Sequence, residues 1–392
     1  MATKLFSPIR LRDLDLTNRV VVSPMCQYAA ESGTASDWHI MHLGNFAVSG
    51  SSLVISEATA VEPEGRISPL CLGLYSDENE RAIARIVKFF RDYGGHTKFG
   101  IQLAHAGRKG SVLPSFMVRK FVPVEEGGWV PPSPSHYEDG VHAPPRVLTI
   151  PEIQEITAAW VQSTIRADRA GADLIELHFG HGYLVNQFLS PLINQRTDQY
   201  GGSIENRMRF ALEIYDACRA VWPSGKPIGV RITAQDWVDG GWQLDDSVIL
   251  ARHLKERGCD YLCLTSGGVS LKQKIDTGPL YQVPFAERVR RESGITTMAV
   301  GQIWEPQSAE GVLQDEKADL IAIGRRMLYD PRWAWHAATE FNEFVPYPAR
   351  YKSCHPLVGS AAKFAESPEQ TRALNQLREA EDRFNSKRTV RN

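Results

Sequence analysis

The sequence predicts an α/β protein, a (β/α)8 TIM barrel with an N-terminal hairpin and an extended loop after the third strand. Short apolar runs typical of buried parallel strands alternate with helix-like segments along the chain. Eight such runs can be found, which is the strand number of this barrel. Polar side chains that could carry chemistry follow several different runs, as expected where a site forms at the carboxyl ends of barrel strands.

The predicted strands follow one another in barrel order. Two brief apolar segments within residues 5–18 predict a hairpin that could plug one end of the barrel. The eight barrel strands are predicted at Arg19–Val22, Leu53–Ser56, Phe99–Leu103, Leu174–Leu177, Ile228–Ile232, Tyr261–Thr265, Thr297–Val300 and Leu320–Ile323. An open doubly wound sheet is the main alternative, and it is disfavoured because no GxGxxG turn follows the first strand.

Helix ends can be placed between these strands. Asp77 is the predicted N-cap of a helix that ends at Gly94, where a C′ glycine belongs. Thr149–Glu152 is typical of a capping box, and the helix behind it ends near Gly171. A third helix is predicted to begin at Ser203. Each of the three carries an apolar stripe, as a helix packed on a core does.

Two segments depart from a minimal barrel. Residues 107–148 are rich in Pro and Gly and predict a long excursion after the third strand, as a lid or a wall of a substrate channel. The chain is therefore divided into a barrel domain, residues 1–358, and a polar C-terminal tail, residues 359–392. Ser367–Gln370 can start a helix in this tail, which either packs on a neighbouring subunit or is a loose appendage.

Composition and charge narrow the class of protein. The chain has 392 residues, 43% of them hydrophobic, and a formal net charge of −2. No strongly basic patch and no apolar run of about 18 residues is visible, so neither nucleic acid nor a membrane is an expected partner. The N-terminus lacks the apolar core of a signal peptide, which predicts a cytoplasmic protein. The six cysteines form no CxxC pair and are expected to be free thiols.

Glycines and an arginine follow the last two predicted strands. Gly301 comes after the seventh strand, and Gly324 and Arg325 come after the eighth. In barrels these loops often bind phosphate, because glycine lets an anion approach backbone N–H groups and arginine can donate two hydrogen bonds. An ordinary turn is the alternative for each glycine taken singly.

Two polar residues interrupt otherwise apolar strands, Gln102 in the third and Arg231 in the fifth. A buried guanidinium is costly unless it has a partner. The residues leave two explanations open for Arg231, a bound anion or a structural ion pair with a barrel acid such as Glu57 or Glu176.

Two histidines and a tyrosine, His178, His181 and Tyr183, come just after the fourth predicted strand. The HxxH spacing, which His39 and His42 repeat, can indicate a metal site, but no third ligand has the spacing of a known zinc motif, so no metal is expected. Neutral imidazoles can donate hydrogen bonds to a carbonyl oxygen, and a phenol can deliver a proton. The alternative is that the imidazoles are merely satisfied within a polar loop.

With these residues in place, the chain resembles the Old Yellow Enzyme family of FMN-dependent ene-reductases, in particular the xenobiotic-reductase and YqjM-like branch with a cysteine beside the flavin. The resemblance runs from Leu5 to about Tyr351. Its motifs are Ser23–Tyr28, Glu57–Ala58, Gly65–Ile67, Gln102–Lys109, His178–Tyr183, Asn194–Arg207 and Gly324–Arg325.

The resemblance implies an FMN lying across the barrel mouth. The residues implied at the isoalloxazine ring are Ser23, Pro24, Met25, Cys26 and Ala58. Gln102 is implied at the pyrimidine edge of the ring and Arg231 near N1. The residues implied at the phosphate are Gly301, Gly324 and Arg325. A fixed positive charge near N1 would stabilise the reduced flavin, which is anionic there.

The implied reaction is a ping-pong hydride transfer. NADPH or NADH reduces flavin N5 and leaves, and an α,β-unsaturated carbonyl compound then takes the hydride at its β carbon. His178 and His181 are implied to hold the substrate oxygen, and Tyr183 to protonate the α carbon. Cys26 is implied to tune the flavin potential and touch substrate, and Tyr28 to bond the substrate oxygen or close the pocket. A homodimer or homotetramer is implied as well.

Some residues depart from the family pattern. Phe179 stands between the two histidines where relatives usually carry a small residue, so it either narrows the pocket or packs beneath it. Relatives lend an arginine to the neighbouring subunit's site, a role that Arg350 or Tyr351 could fill. Trp304 is a candidate wall of the substrate pocket.

Other reactions and other classes remain as alternatives. On the same barrel these are reduction of a dienoyl thioester and reductive removal of nitrite. In other classes they are a flavin binder without turnover and an aldolase-like barrel. The aldolase is disfavoured because no lysine is well placed at a strand end for a Schiff base.

Overall fold

A computed structural model describes residues 3–117 and 120–354 of the chain. In chain order its strands are β1 (Ile9–Leu11), β2 (Leu14–Leu16), β3 (Val20–Val22), β4 (Leu53–Ile55), β5 (Thr59–Ala60), β6 (Lys98–Ala104), β7 (Pro132–Ser133), β8 (Arg146–Val147), β9 (Leu174–Phe179), β10 (Ile228–Thr233), β11 (Tyr261–Thr265), β12 (Thr297–Ala299) and β13 (Leu320–Ile323). Parallel pairing runs in the order β4-β3-β13-β12-β11-β10-β9-β6, and pairing of β4 with β6 closes the ring. The predicted barrel and all eight predicted strands are confirmed, with shifts of one or two residues at some ends.

Helices surround this barrel. In the described residues they are α1 (Asp37–Ala47), α2 (Asp77–Tyr93), α3 (Ile150–Arg169), α4 (Leu184–Leu189), α5 (Ile204–Val221), α6 (Leu244–Glu256), α7 (Val283–Ser293), α8 (Pro306–Gln314), α9 (Arg325–Tyr329) and α10 (Trp333–Glu340). The larger hydrophobic core lies between these helices and the outward faces of the strands. No helix of the described ranges is long and apolar enough to cross a membrane.

Two of the three predicted helix starts are confirmed. The Thr149 hydroxyl accepts a hydrogen bond from the Glu152 backbone N–H, and the Glu152 carboxylate accepts one from the Thr149 backbone N–H. Ser203 is the N-cap of α5. The prediction for α2 was wrong by one residue, because the Ser76 hydroxyl accepts from the backbone of Asn79, so Ser76 is the N-cap and Asp77 the first helical residue.

The predicted end of α2 was also wrong in its conformation. Gly94 keeps right-handed dihedral angles, with φ −74°. The left-handed conformation falls on the next residue, Gly95, with φ 61°. Sequence alone could not choose between adjacent glycines that both lack a Cβ.

The N-terminal hairpin plugs the amino end of the barrel. β1 and β2 pair antiparallel, and Leu11, Leu14 and Leu16 are buried against inward-facing side chains of the barrel strands such as Leu53 and Leu174. Burying these leucines keeps water out of that end of the barrel.

The long excursion after β6 is held against the barrel by hydrogen bonds at several points. The Arg196 guanidinium donates to the carbonyl oxygens of Pro134 and Leu148, at 3.0 and 2.6 Å. The Gln195 backbone N–H donates to Ser135 Oγ at 2.9 Å. The excursion is therefore confirmed as a structured part of the fold. The tail predicted at residues 359–392 lies outside the described residues.

Candidate active site

Two imidazoles and a phenol converge at the carboxyl end of β9. Positive φ angles at His181 (58°) and Gly182 (70°) turn the chain back, so that Tyr183 caps α4 beside His178. The ring centroid of His178 lies 5.0 Å from that of His181 and 5.3 Å from that of Tyr183. Thr233 holds the turn, because its hydroxyl accepts from the His181 backbone N–H at 2.7 Å.

The imidazoles are neutral near pH 7. Burial lowers the pKa of His178 to about 3, and the positive charge of Arg231 adds to the effect. Burial likewise holds the pKa of His181 well below its ordinary value, with His178 and Arg231 adding to it. The two rings are 3.1 Å apart, from His178 Nε2 to His181 Nδ1. A hydrogen bond between His178 and the Arg231 backbone acts in the opposite direction on the pKa of His178 and is outweighed by burial.

Lys109 completes this group, although no role was predicted for it. Its Nζ donates to the carbonyl oxygens of His181 at 2.7 Å and Gly268 at 3.1 Å, and it lies 5.0 Å from the centre of the Tyr183 ring. The only signal in the sequence is its place in the Gln102–Lys109 motif. Its contacts span loops far apart in the chain, which a pattern cannot show.

A cavity of about 330 Å³ opens beside these residues, at the carboxyl ends of β3, β10, β11, β12 and β13. It gathers nine residues that the sequence singled out, namely Ser23, Pro24, Met25, His181, Arg231, Gly301, Trp304, Gly324 and Arg325. Gln302 and Arg326, which belong to the two candidate phosphate segments after the last strands, also line it. The further lining residues that sequence reasoning missed are Ser266, Tyr281, Gln282 and Ile303. Ser266 and Ile303 lie close behind a predicted strand, whereas Tyr281 and Gln282 stand just before α7 and had no signal of that kind.

Arg231 contradicts the ion-pair explanation. Its Nη1 donates to Ser23 Oγ at 3.0 Å, and in the described ranges no carboxylate oxygen lies within 4.0 Å of its guanidinium. Glu57 lies instead against His39, with 3.2 Å between Oε1 and Nε2. Glu176 accepts hydrogen bonds from neutral groups. The charge of Arg231 is thus available to an anion in the cavity.

Cys26, Tyr28 and Tyr183 lie on an apolar wall next to the cavity. The buried members of that wall are Ala58, Ile67, Cys71, Ala104, Ala106 and Val112. A hydrogen bond with Cys71, together with burial, raises the pKa of the Cys26 thiol, so Cys26 is a neutral thiol rather than a thiolate. Burial also raises the pKa of Tyr28. Ala58 and Gln102 do not line the cavity itself: Ala58 belongs to this wall, and Gln102 lies inside the barrel.

Packing settles one question left open by the sequence and locates the residue concerned in another. Phe179 is fully buried and points outward against Trp160, with 6.0 Å between the ring centroids, so it packs beneath the site and does not narrow the pocket. Arg350 lies 5.7 Å from the Tyr93 ring, beside Thr97 at the start of β6, and therefore at the opposite end of its own barrel from the imidazoles.

The site can now be compared with known proteins. A family model described as the NADH:flavin oxidoreductase / NADH oxidase family matches residues 4–343. The chain belongs to this family. NADPH dehydrogenase of Bacillus subtilis (strain 168) is 40% identical over 354 residues, which cover 90% of this chain and 99% of that protein. NADPH dehydrogenase of Geobacillus thermodenitrificans is 41% identical, over 90% of this chain and 98% of its own length.

Solved structures agree with this result. Morphinone reductase in complex with tetrahydroNAD has a TM-score of 0.72 and 26% identity, covering 94% of this chain and 96% of its own. The protein is thus an NAD(P)H-dependent flavin oxidoreductase of the Old Yellow Enzyme type, with FMN as cofactor and a nicotinamide as hydride donor.

The residues of the cavity fit this cofactor. Arg231 has no carboxylate oxygen within 4.0 Å in the described ranges, and Arg326 has a buried Nε with no partner among the described residues. A Cβ built on Gly324 would lie 3.6 Å from Met25 Sδ and 3.8 Å from Ser23 Cβ, so its absence leaves room along that wall. Cations and open backbone are what an anionic, planar cofactor with a phosphate requires.

Proposed function

We propose that the enzyme is an ene-reductase, which reduces the carbon–carbon double bond of α,β-unsaturated carbonyl compounds. The observation that carries this proposal is the convergence of His178, His181 and Tyr183 beside the cavity that contains Arg231. Hydrogen-bond donors for a carbonyl oxygen and a proton donor for the α carbon are what such a reduction needs besides a hydride.

The hydride belongs to the cofactor. FMN held by the residues of the cavity would supply a hydride, taken from NADPH or NADH, for the substrate β carbon, in two half-reactions that would use one site in turn. Arg231 contributes a positive charge that no carboxylate within 4.0 Å offsets in the described ranges. That charge favours the reduced, anionic state of a flavin.

The imidazoles bind and polarise the substrate oxygen. Because His178 and His181 are neutral, each carries one N–H and adds no charge that would need its own partner. Donation of both to a carbonyl oxygen requires that the oxygen displace the 3.1 Å contact between the two rings. Hydrogen bonds that strengthen as negative charge develops on that oxygen lower the barrier for hydride addition at the β carbon.

Tyr183 is the proton donor in this proposal. Its ring lies 5.3 Å from that of His178, so a substrate held by the imidazole would lie close to the phenol. Lys109 lies 5.0 Å from the ring and favours the negative charge that the phenol acquires when it gives up its proton.

The cofactor contacts and the substrate wall complete the assignment. The cofactor residues proposed are Ser23, Pro24, Met25, Cys26, Ala58, Gln102, Arg231, Gly301, Gly324 and Arg325. Seven of them line the cavity, which supports their place in the proposal. Cys26 and Tyr28 lie on the same apolar wall as Tyr183 and would contact the substrate.

Assembly and location are also proposed. A homodimer or homotetramer is proposed from membership of the family. Six free cysteines support a reducing compartment such as the cytoplasm.

Spectroscopy of the purified protein tests the proposal. Flavin absorption bands should bleach on anaerobic addition of NADPH and return on addition of 2-cyclohexenone. Bands that bleach but do not return with any of a set of enones would overturn the proposed substrate class, while leaving the family membership untouched.

A further inference from the structure

A chain of three polar side chains crosses the inside of the barrel below the site. Gln102 Nε2 donates to Glu176 Oε1 at 2.7 Å, and the Tyr261 hydroxyl donates to Glu176 Oε2 at 3.1 Å. The three residues come from β6, β9 and β11, and all are buried. We refer to them as the Gln102–Glu176–Tyr261 chain.

The backbone makes room for this chain at one glycine. Gly229 of β10 is the register partner of Glu176 on one side and of Tyr261 on the other. A Cβ on Gly229 would lie 2.0 Å from the Tyr261 ring. The ring therefore crosses β10 through space that only glycine leaves, and this is how a residue of β11 reaches a carboxylate of β9.

Stability does not explain the carboxylate. Glu176 is fully buried, and no cation lies within 4.0 Å of its oxygens in the described residues. Burial raises the pKa of Glu176, and the charge of Arg231 and the two hydrogen bonds offset part of that effect. Buried charged groups are often replaced by apolar ones at no loss of stability. A role at the site above it is the better explanation.

Glu176 also fixes the orientation of Gln102. An ionised carboxylate only accepts hydrogen bonds, and both oxygens of Glu176 accept one here, so the amide group turns its nitrogen to Glu176. This leaves Gln102 Oε1, which has no hydrogen bond to the described residues, to accept one from a ligand. The pyrimidine edge of a flavin carries such a donor, N3–H, between two carbonyl groups.

We propose that Glu176 and Tyr261 are positioning residues that hold Gln102 toward the pyrimidine edge of FMN and set the flavin reduction potential. Glu176 places a negative charge near the edge that becomes anionic on reduction, and so limits how far Arg231 raises the potential. Tyr261 disperses that negative charge through its hydrogen bond. The proposal rests on the flavin placement within the proposed function.

The test measures the midpoint potential of enzyme-bound FMN by anaerobic titration with a reference dye, which requires no enone turnover. Glu176→Gln removes the charge but keeps an acceptor for Gln102, so the potential should become more positive. Tyr261→Phe should make it more negative, since the carboxylate loses a donor. In the Glu176→Gln background, Tyr261→Phe should have no further effect, because Tyr261 acts only through Glu176.

A second variant and a control separate positioning from folding. Glu176→Leu removes the acceptor as well, and the dissociation constant of FMN should rise about tenfold, as for one lost hydrogen bond. Tyr215→Phe is the matched control: Tyr215 is also fully buried, but its hydroxyl has no partner among the described residues, and its loss should leave the potential unchanged.

Two failures can be told apart. An unchanged potential in Glu176→Gln, with one FMN bound per chain, overturns the role of Glu176 whatever the enzyme reduces. A shifted potential in an enzyme that no enone reoxidises supports the chain of positioning residues and overturns the proposed substrate class.

Discussion

The two ends of the barrel differ although the same eight strands build both. At the amino end the inward-facing side chains are apolar, and Leu16 of the hairpin is fully buried against residues such as Leu53 and Leu174. At the carboxyl end the same strands and the turns that follow them present His181 and Arg231 to a cavity. The amino end stabilises the fold by burying apolar side chains, and the carboxyl end presents polar side chains that can bind a ligand.

This difference shows how one barrel separates stability from chemistry. Unpaired polar groups such as Arg326 Nε are costly in a folded chain. The apolar contacts at the other end are stabilising and can offset that cost. Substitutions at the two ends should therefore affect different measurements, as the following predictions state.

The largest effect is expected from Tyr183→Phe. Removing the proton donor should slow reoxidation of the flavin by enone by about 10²–10⁴-fold, the range for general acid catalysis, and leave reduction by NADPH nearly intact. Stopped-flow measurement of each half-reaction checks this. An equal loss in both half-reactions would remove the proton-donor role, and Tyr215→Phe serves as the control for loss of a buried hydroxyl.

At the amino end, Leu16→Ala should lower the free energy of unfolding by about 2–5 kcal/mol, because it leaves a cavity under the hairpin. Urea denaturation of the FMN-free protein measures the change. The half-reactions of the folded enzyme should keep their rates. Val124→Ala, at a side chain 58% exposed on the excursion, should stay within about 0.5 kcal/mol of the wild type. If the rates of the half-reactions fell in Leu16→Ala, packing at the amino end would influence the chemistry at the carboxyl end, contrary to this prediction.

Acid should destabilise the protein through the carboxyl end. The pKa of His178 is about 3 in the fold against an ordinary value of 6.5, so between these pH values the unfolded chain binds a proton that the folded chain does not. Stability from this group is present above pH 6.5 and is lost as pH falls toward 3, by up to about 1.4 kcal/mol per pH unit. Urea titrations from pH 4 to 7 should show a shallower slope in His178→Gln, and equal slopes would contradict the neutral imidazole.

The smallest effect is expected outside both ends, at the start of α3. Thr149→Ala removes the cap that accepts from the Glu152 backbone, and should cost about 1 kcal/mol of unfolding free energy. Both half-reactions should be unchanged. Thr157→Ala in the middle of the same helix is the control and should lower the unfolding free energy by less. The Thr157 hydroxyl donates to the Ile153 carbonyl oxygen, which already accepts a backbone hydrogen bond within the helix. A larger loss at Thr157 would mean that the cap contributes little.

Much of the fold could be predicted from the sequence because its signals are local. The run Val20–Val22 and the apolar run of Leu320–Ile323 can be recognised without knowing their neighbours, and their bounds were predicted within one residue. The capping box at Thr149 is equally local. Where local signals are equivalent, as at Ser76 and Asp77 or at Gly94 and Gly95, the prediction slipped by one position.

The site was predictable in its residues more than in its contacts. His178, His181 and Tyr183 are close together in the sequence, so their convergence could be predicted. The partner of Arg231 could not, because Ser23 is 208 positions away and the choice between Ser23 and an acid depends on barrel register. The contacts of Lys109 with Gly268 belong to the same class.

The ties of Arg196 have a consequence for protein engineering. If the excursion were replaced by that of a relative with a different backbone path, the carbonyl oxygens at the positions of Pro134 and Leu148 would move. Arg196, which donates to both, lies outside the exchanged segment. A chimera that exchanges residues 107–148 alone would therefore lose these hydrogen bonds between Arg196 and the excursion. The unit that can be transplanted is the excursion together with the Gln195–Asp198 turn, because Asp198 orients the guanidinium.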